Sequence, residues 1–348
     1  MKVFLIIIAV ILAIALVSVI YPLVSRRVPE TKVSGAFLFK SEDGGETWQS
    51  MNLFPGGEVT VMRFDAENHD YLFVGTARRG LWRGKRSDEE WRQYPISLGE
   101  GSKIFDILGP AASSSLDALV FYSGRGRVIR MQGGKREELL PAPAERYAFF
   151  EGTETADRKI IRVIGSDGGL YETRDGGESW EILSRFREGL SHFEPHPARM
   201  LQMWVLDTRG NLYRSDNGGR DWVDLNAGLS EFRSIQNSRA LYFDPNSKIL
   251  YHASSFGLLE SADLGKTWKL VNIPIPPQLT PITAVATDPR NSKKIFAGAG
   301  GELYISENRG ITWKTARIDG RGAISKILID PADSKNVFIG LAGASASR

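Results

Sequence analysis

Any chemistry in this chain has to come from carboxylates, arginines and four histidines, because the sequence contains no cysteine. Disulfides, thiolate metal sites, a cysteine nucleophile and a lipid-modified N-terminal cysteine are thereby excluded, while the redox compartment stays open. Of the imidazoles His69, His192, His196 and His252, the pair His192 and His196 has i, i+4 metal-ligand spacing. Phe193-Glu194-Pro195-His196, however, repeats the pattern of Phe243-Asp244-Pro245-Asn246. The pair is therefore assigned to a turn between strands, where helical spacing has no meaning, and no metal is expected. No glycine-rich phosphate loop opens a helix and no nucleophile elbow is present, so neither a cofactor nor a catalytic residue is expected. The densest basic run, Arg78, Arg79, Arg83, Lys85 and Arg86, is followed at once by Asp88, Glu89 and Glu90.

The element that must position such groups is a repeat. Five segments share one pattern: Ser41–Trp48, Thr173–Trp180, Ser215–Trp222, Ser261–Trp268 and Ser306–Trp313. The last four tryptophans are 42, 46 and 45 residues apart, and the first gap of 132 is three times 44. Two degenerate copies fill that gap: Ser87-Asp88-Glu89-Glu90-Trp91, and Gln132-Gly133-Gly134-Lys135-Arg136 with Leu139 near the tryptophan's place. Each unit reads as four short strands. Asp-Pro turns (Asp244-Pro245, Asp288-Pro289, Asp330-Pro331) join the first two, and the Ser-x-Asp-x-Gly hairpin joins the last two. Four strands per 40–50 residues is the pattern of a β-propeller. The segment from Gly35 to Asn52 supplies only a third and fourth strand, and Ile324 to Leu341 only a first and second. The expected fold is an all-β, seven-bladed β-propeller whose last blade is closed by two strands from each end, which removes the free sheet edges.

The five hairpins resemble the Asp-box, or BNR repeat, of sialidases, sortilin-type receptors and xyloglucan-cleaving enzymes, and the resemblance runs from Gly35 to the C-terminus. Asp43, Asp175 and Asp263, with Trp48, Trp180, Trp222, Trp268 and Trp313, are read as structural: the acids fold back on hairpin amides and the indoles cover apolar strands. Among such families the chain is most similar to the photosystem II stability/assembly factor-like propellers, whose members act as binding scaffolds without chemistry of their own. A sialidase would need a Phe/Tyr-Arg-Ile-Pro element. Arg27-Val28-Pro29 echoes it only in part and lies outside the repeat register. A xyloglucanase would need two tandem propellers, and 348 residues have room for one.

The N-terminus has a different composition. Val3 to Ile20 is apolar apart from Ser18, long enough to span a bilayer core. Residues 1–25 are expected to be an uncleaved transmembrane helix, 26–34 a juxtamembrane linker and 35–348 the propeller. The propeller is expected to be extracytoplasmic, although Arg26, Arg27 and Lys32 read literally under the positive-inside rule favour the opposite. A formal net charge of +3 on 44 basic and 41 acidic residues argues against a nucleic-acid partner.

In an antiparallel blade the turns alternate between two faces. Asp65, Asp175, Glu194, Asp244, Asp288 and Asp330 sort to the face of the Asp-Pro turns and hairpins. Arg78, Arg79, Arg125 and Arg209 sort to the opposite face, joined by Arg187, Arg233 and Arg321 from the links between blades, and Asp167, Glu188, Asp207 and Glu231 sort there too, so that face is mixed with an arginine excess. This arginine-bearing face is the expected binding site for an acidic or membrane-associated protein, since guanidinium accepts carboxylates bidentately. The expectation is thus a monomeric, membrane-anchored, non-catalytic scaffold, such as an assembly or stability factor for a membrane or envelope complex. The alternative is a glycan-binding or glycan-hydrolysing propeller. The loop Ile273-Pro274-Ile275-Pro276-Pro277 is a further exposed apolar contact surface by sequence.

Overall fold

Why the chain breaks into so many short strands is visible in its turns, where glycine or a short polar side chain bends the backbone back every five to eight residues. The computed structural model describes residues 35–141, 143–232 and 238–343. Among them the regular elements are strands apart from one 3-10 turn at Asn226–Leu229, and no helix is long and apolar enough to cross a membrane. The expected anchor (1–25) and linker (26–34), and Arg233, lie outside the described residues.

Seven four-stranded antiparallel sheets form seven blades. The innermost strands are Val59–Phe64, Lys103–Leu108, Phe149–Glu154, Leu190–Pro195, Ser238–Asp244, Ile282–Asp288 and Ala323–Ile329, for blades 1 to 7. Each touches the next, and the last returns to the first, so the sheets close into a ring around a channel. Blade 7 takes Ala323–Ile329 and Val337–Ala342 from the C-terminal end, and Leu38–Ser41 and Gln49–Ser50 from the N-terminal end. Leu38 lies opposite Gly340 and Ser41 opposite Val337 across that joint. The two-plus-two closure read from the repeat register is therefore the observed one.

The core is divided into seven apolar clusters, one at each blade-to-blade interface. This explains why the second strands, such as Ile161–Gly165 and Ile249–Ser254, are apolar on both faces: each lies between two blades. Glycine is required there. A Cβ on Gly298 would stand 2.6 Å from Ile324 Cγ2 of the next blade, and Gly75 and Gly340 meet Val61 and Val59 as closely.

The repeated hairpins are closed by their own side chains. The hydroxyls of Ser41, Thr173, Ser215, Ser261 and Ser306 accept the amide four residues on, at 2.7–2.9 Å. The carboxylates of Asp43, Asp175 and Asp263 accept the amides of Thr47, Ser179 and Thr267 at 2.9 Å, and those residues' hydroxyls donate to the second oxygen. Asn217 and Asn308 do the same work in the other two copies. These bonds hold the Asp43 and Asp175 carboxyls well below the usual carboxylate range. The indoles of Trp48, Trp222, Trp268 and Trp313 donate to the carbonyl three residues back, while that of Trp180 donates to Leu139 of blade 2. Each of these rings, and Trp91, packs into a different interface cluster.

Three expectations are corrected. Leu139 does not take a tryptophan's place. The blade 2 hairpin is a tight turn at Gly133-Gly134, both at positive φ, and Leu139 packs forward against Gly177 of blade 3. Its counterparts are Leu183, Leu225 and Val271, which meet the corresponding glycines 219, 265 and 310. The cluster between blades 1 and 2 therefore has no hairpin tryptophan, and Tyr94 and Leu98 pack there instead. The Ile273–Pro277 loop is an exposed apolar surface only in part: Pro274, Pro276 and Pro277 are exposed, while Ile273 is buried and Ile275 packs against the blade 5–6 cluster. Finally, His196, not Glu194, is the counterpart of the turn aspartates. Its amide donates to the Gln202 carbonyl as Asp65 does to Tyr71, and its Nδ1 accepts the Ala198 and Arg199 amides at 3.1 Å. His192 lies on the inner strand, apart from it, so the two imidazoles share no site.

Candidate functional site: the central channel and its arginine-bearing rim

The inner strands carry the site. Their side chains face the channel and stitch each blade to the next. The Asp106 carboxylate accepts the Gly152 amide at 3.3 Å, Glu151 the Phe193 amide at 2.6 Å, and Glu194 the Phe243 amide at 2.8 Å. On three of the four remaining strands hydroxyls do the equivalent: Thr60 donates to Ile104 O, Thr283 to Ile324 O, and Ser325 to Val59 O.

Charges are unevenly resolved along this channel. Asp106 has Arg63 Nη2 at 3.5 Å, and Glu151 has His192 Nδ1 at 3.1 Å. Burial raises the Asp106 carboxyl, only partly offset by Arg63. Burial also pushes on Glu151, but His192, Lys326 and the Phe193 amide outweigh it and hold that carboxyl low. Glu194, with no cation in contact, is pushed up to about 8 by burial, with Glu151 and Asp106 adding to the rise and the Phe243 amide opposing it. Two carboxyls one blade apart thus stand in opposite protonation states at neutral pH. The channel widens towards its two ends into spaces of about 470 and 540 Å³, which share Phe105, Glu151, Arg239, Thr283, Ser325 and Lys326. None of the channel groups was singled out for this place from sequence. Their signal was the recurrence of charge at 63, 106, 151, 194 and 239, in steps of 43, 45, 43 and 45 residues, one repeat length each.

The rim has a clear asymmetry. On the face of the Asp-Pro turns four aspartates are not available as surface charge, whereas Asp175 and Asp333 stay exposed. Asp65, Asp244, Asp288 and Asp330 are buried and accept the amide two residues on at 2.8–3.0 Å. Asp65 also holds Arg83 at 2.7 Å and Asp330 holds Arg86 at 2.8 Å. The basic run Arg78–Arg86 is thus divided: Arg83 and Arg86 turn back to these acids, while Arg78 and Arg79 stand on the opposite face. There, Arg78, Arg79, Arg125, Arg187, Arg209 and Arg321 are all exposed. Arg125 has Glu145 at 3.6 Å, Arg209 has Glu188 at 3.0 Å, and Arg79 donates to the Pro55 carbonyl. Arg78, Arg187 and Arg321 make no ion pair among the described residues. The other imidazoles are structural: burial against Trp268 holds His252 down at about 3, and His69 stacks on Phe64. No group of His, Asp or Glu among the described residues is arranged to hold a metal.

No family model matches the chain. By sequence it is 22% identical over 291 residues to the oligoxyloglucan-reducing end-specific xyloglucanase of Emericella nidulans, covering 78% of this chain and 35% of that protein. It is 20% identical over 265 residues to sortilin of Rattus norvegicus, covering 69% and 30%. To the photosystem II assembly protein Ycf48 of Synechococcus sp. it is 23% identical over 189 residues, covering 51% and 52%. The chain therefore spans a third to a half of the length of these relatives. Among solved structures it superposes on the GH74 xyloglucanase of Xanthomonas campestris with a TM-score of 0.66 at 18% identity, over 85% of this chain and 52% of that one. It superposes on YCF48 of Cyanidioschyzon merolae with a TM-score of 0.63 at 14% identity, over 82% and 95%. YCF48 bound to D1 peptide gives a TM-score of 0.63 at 14% identity, over 84% and 94%. At these identities the solved structures speak for the fold alone. The chain is a seven-bladed β-propeller similar to Ycf48, to sortilin and to GH74 xyloglucanases.

Proposed function

We propose that this protein is a non-catalytic scaffold that captures a protein segment on the face where the inter-blade links and second-to-third-strand loops converge. It is held at a membrane by its N-terminal segment, with the propeller outside the cytoplasm. The observation that carries this reading is the rim asymmetry: six arginines on one face are exposed, while Asp65, Asp244, Asp288 and Asp330 of the other are buried in their own turns. A rim with unpaired Arg78, Arg187 and Arg321 suits carboxylate-bearing polypeptide, which it can grip bidentately. YCF48 bound to D1 peptide, a propeller of the same fold, supports peptide capture. Charge reversal of Arg78, Arg79 and Arg125 together is expected to abolish partner recovery in a pull-down from solubilised membranes. Undiminished recovery overturns the reading.

The similarity to xyloglucanases favours a second reading, glycan processing. In its support, Glu194 and Glu151 present a protonated acid beside a carboxylate, the pattern general acid–base chemistry needs. Against it, each of these carboxylates already accepts the next blade's amide. Release of reducing ends from xyloglucan oligosaccharides that disappears in Glu194→Gln would favour the enzyme.

A further inference from the structure

The acids in the channel are balanced and the cations are not. Asp106 is answered by Arg63, Glu151 by His192 and the Phe193 amide, and Glu194 by the Phe243 amide and its own proton. What remains is Lys103, Arg239 and Lys326, from blades 2, 5 and 7, none of which makes an ion pair among the described residues, although Lys326 acts on Glu151 and Asp106 at longer range. All three line the 540 Å³ space at the arginine-bearing end of the channel, as does Glu151, so three cations face one carboxylate there. Lys103 lies over the Phe105 ring, 4.2 Å from its centroid, and burial draws its ammonium below the ordinary lysine range, opposed by the Glu58 carboxylate, which lies against Gly343 at the edge of the same space. The Arg239 Nε is buried without a hydrogen-bond partner. Like charges converging on a low-dielectric cleft cost free energy until an anion enters, and they focus the field that draws one in. The same space has an apolar side, where Phe105 meets Phe150 edge-on at 5.2 Å, beside Pro281 and Ala323.

We propose that this end of the channel is a binding site for a small organic anion, a carboxylate with an aromatic or aliphatic body. The carboxylate sits among Arg239, Lys326 and Lys103, and the body lies on Phe105 and Phe150. The rings supply area and edge-to-face contact, and the guanidinium and ammonium groups supply charge-assisted hydrogen bonds. The site is built from inner-strand residues rather than rim loops, so it stands independently of partner capture at the rim.

The test is a fluorine NMR titration of the full-length chain with 4-fluorohydrocinnamate, with 3-(4-fluorophenyl)propanol as the uncharged control. Saturable binding of the acid and at least about tenfold weaker binding of the alcohol are expected. Lys326→Met and Arg239→Gln are each expected to weaken the acid at least about tenfold, and Lys326→Arg to restore it to within about threefold. Reversal of the rim arginines 78, 79 and 125 is expected to leave the titration unchanged, which separates failure of this site from failure of the rim. No saturable shift up to about 10 mM overturns the proposal. So does alcohol binding as tight as acid, or undiminished binding by both cation variants with unchanged thermal melts.

Discussion

Replacing Glu194 by Gln tests the electrostatics of the channel most sharply. The carboxyl is raised from 4.5 to about 8, so between those values the native state holds a proton that the unfolded chain has released. A raised native pKa makes stability fall as pH climbs through this window, since the unfolded state then binds fewer protons than the native one. Taken in full, the displacement is worth about 5 kcal/mol. Channel water and the nearby Arg63, Arg239 and Lys326 relax part of this, leaving about 1–3 kcal/mol as the expected effect. Glutamine preserves the acceptor for the Phe243 amide at 2.8 Å and cannot ionise. Urea unfolding of both proteins at pH 5 and pH 9 reads the difference. At pH 5, only about half a unit above the unfolded value, the glutamine variant is expected to be the more stable by less than about 1 kcal/mol. At pH 9 the glutamine variant is expected to be the more stable by about 1–3 kcal/mol. Comparing variant with parent removes the part of the Asp106, Glu151 and Tyr242 titrations that does not depend on Glu194. A pH-independent difference, or a variant less stable at pH 9, refutes the reasoning.

Other consequences follow from the seams and hairpins. Gly298→Val drives a branched side chain into Ile324 of the next blade and is expected to cost about 1–3 kcal/mol in urea unfolding. Gly301→Ala, where the nearest atom would be 3.6 Å away, is expected to fall within about 0.5 kcal/mol of the parent. Asp263→Ala removes the acceptor for the Thr267 amide and hydroxyl and is expected to cost about 1–2 kcal/mol by thermal melt. Asp263→Asn should lose less than half of that, because Asn217 and Asn308 close equivalent hairpins.

The blade framework was legible because its signals are local. A Ser, an Asp, a Gly and a Trp within eight residues specify a hairpin whose Ser and Asp side chains bond within it, and Gly35–Asn52 and Ile324–Leu341 could be recognised as complementary halves by counting strands. Where a local signal was shared, the reading slipped. Pro195 drew Glu194 into alignment with Asp244, although the turn is made by His196, whose Nδ1 accepts amides as a carboxylate would. Burial of Asp65, Asp244, Asp288 and Asp330 was not legible because sequence does not reveal that a short side chain beneath a turn is covered by it. The channel was illegible for a different reason. Arg63, Asp106, Glu151, Glu194, Arg239 and Lys326 come from six strands and meet only when the ring closes.

Partner capture at the arginine-bearing face is tested most directly by photo-crosslinking in membranes. A photoreactive residue is placed one at a time at Arg78, Arg187 and Arg321, and on the opposite face at Glu307 and Asp333, with mass spectrometry to identify what is trapped. One protein trapped repeatedly from the first three positions, and not from the last two, is the expected result. Adducts confined to 307 and 333, or no protein trapped from 78, 187 and 321, would contradict it.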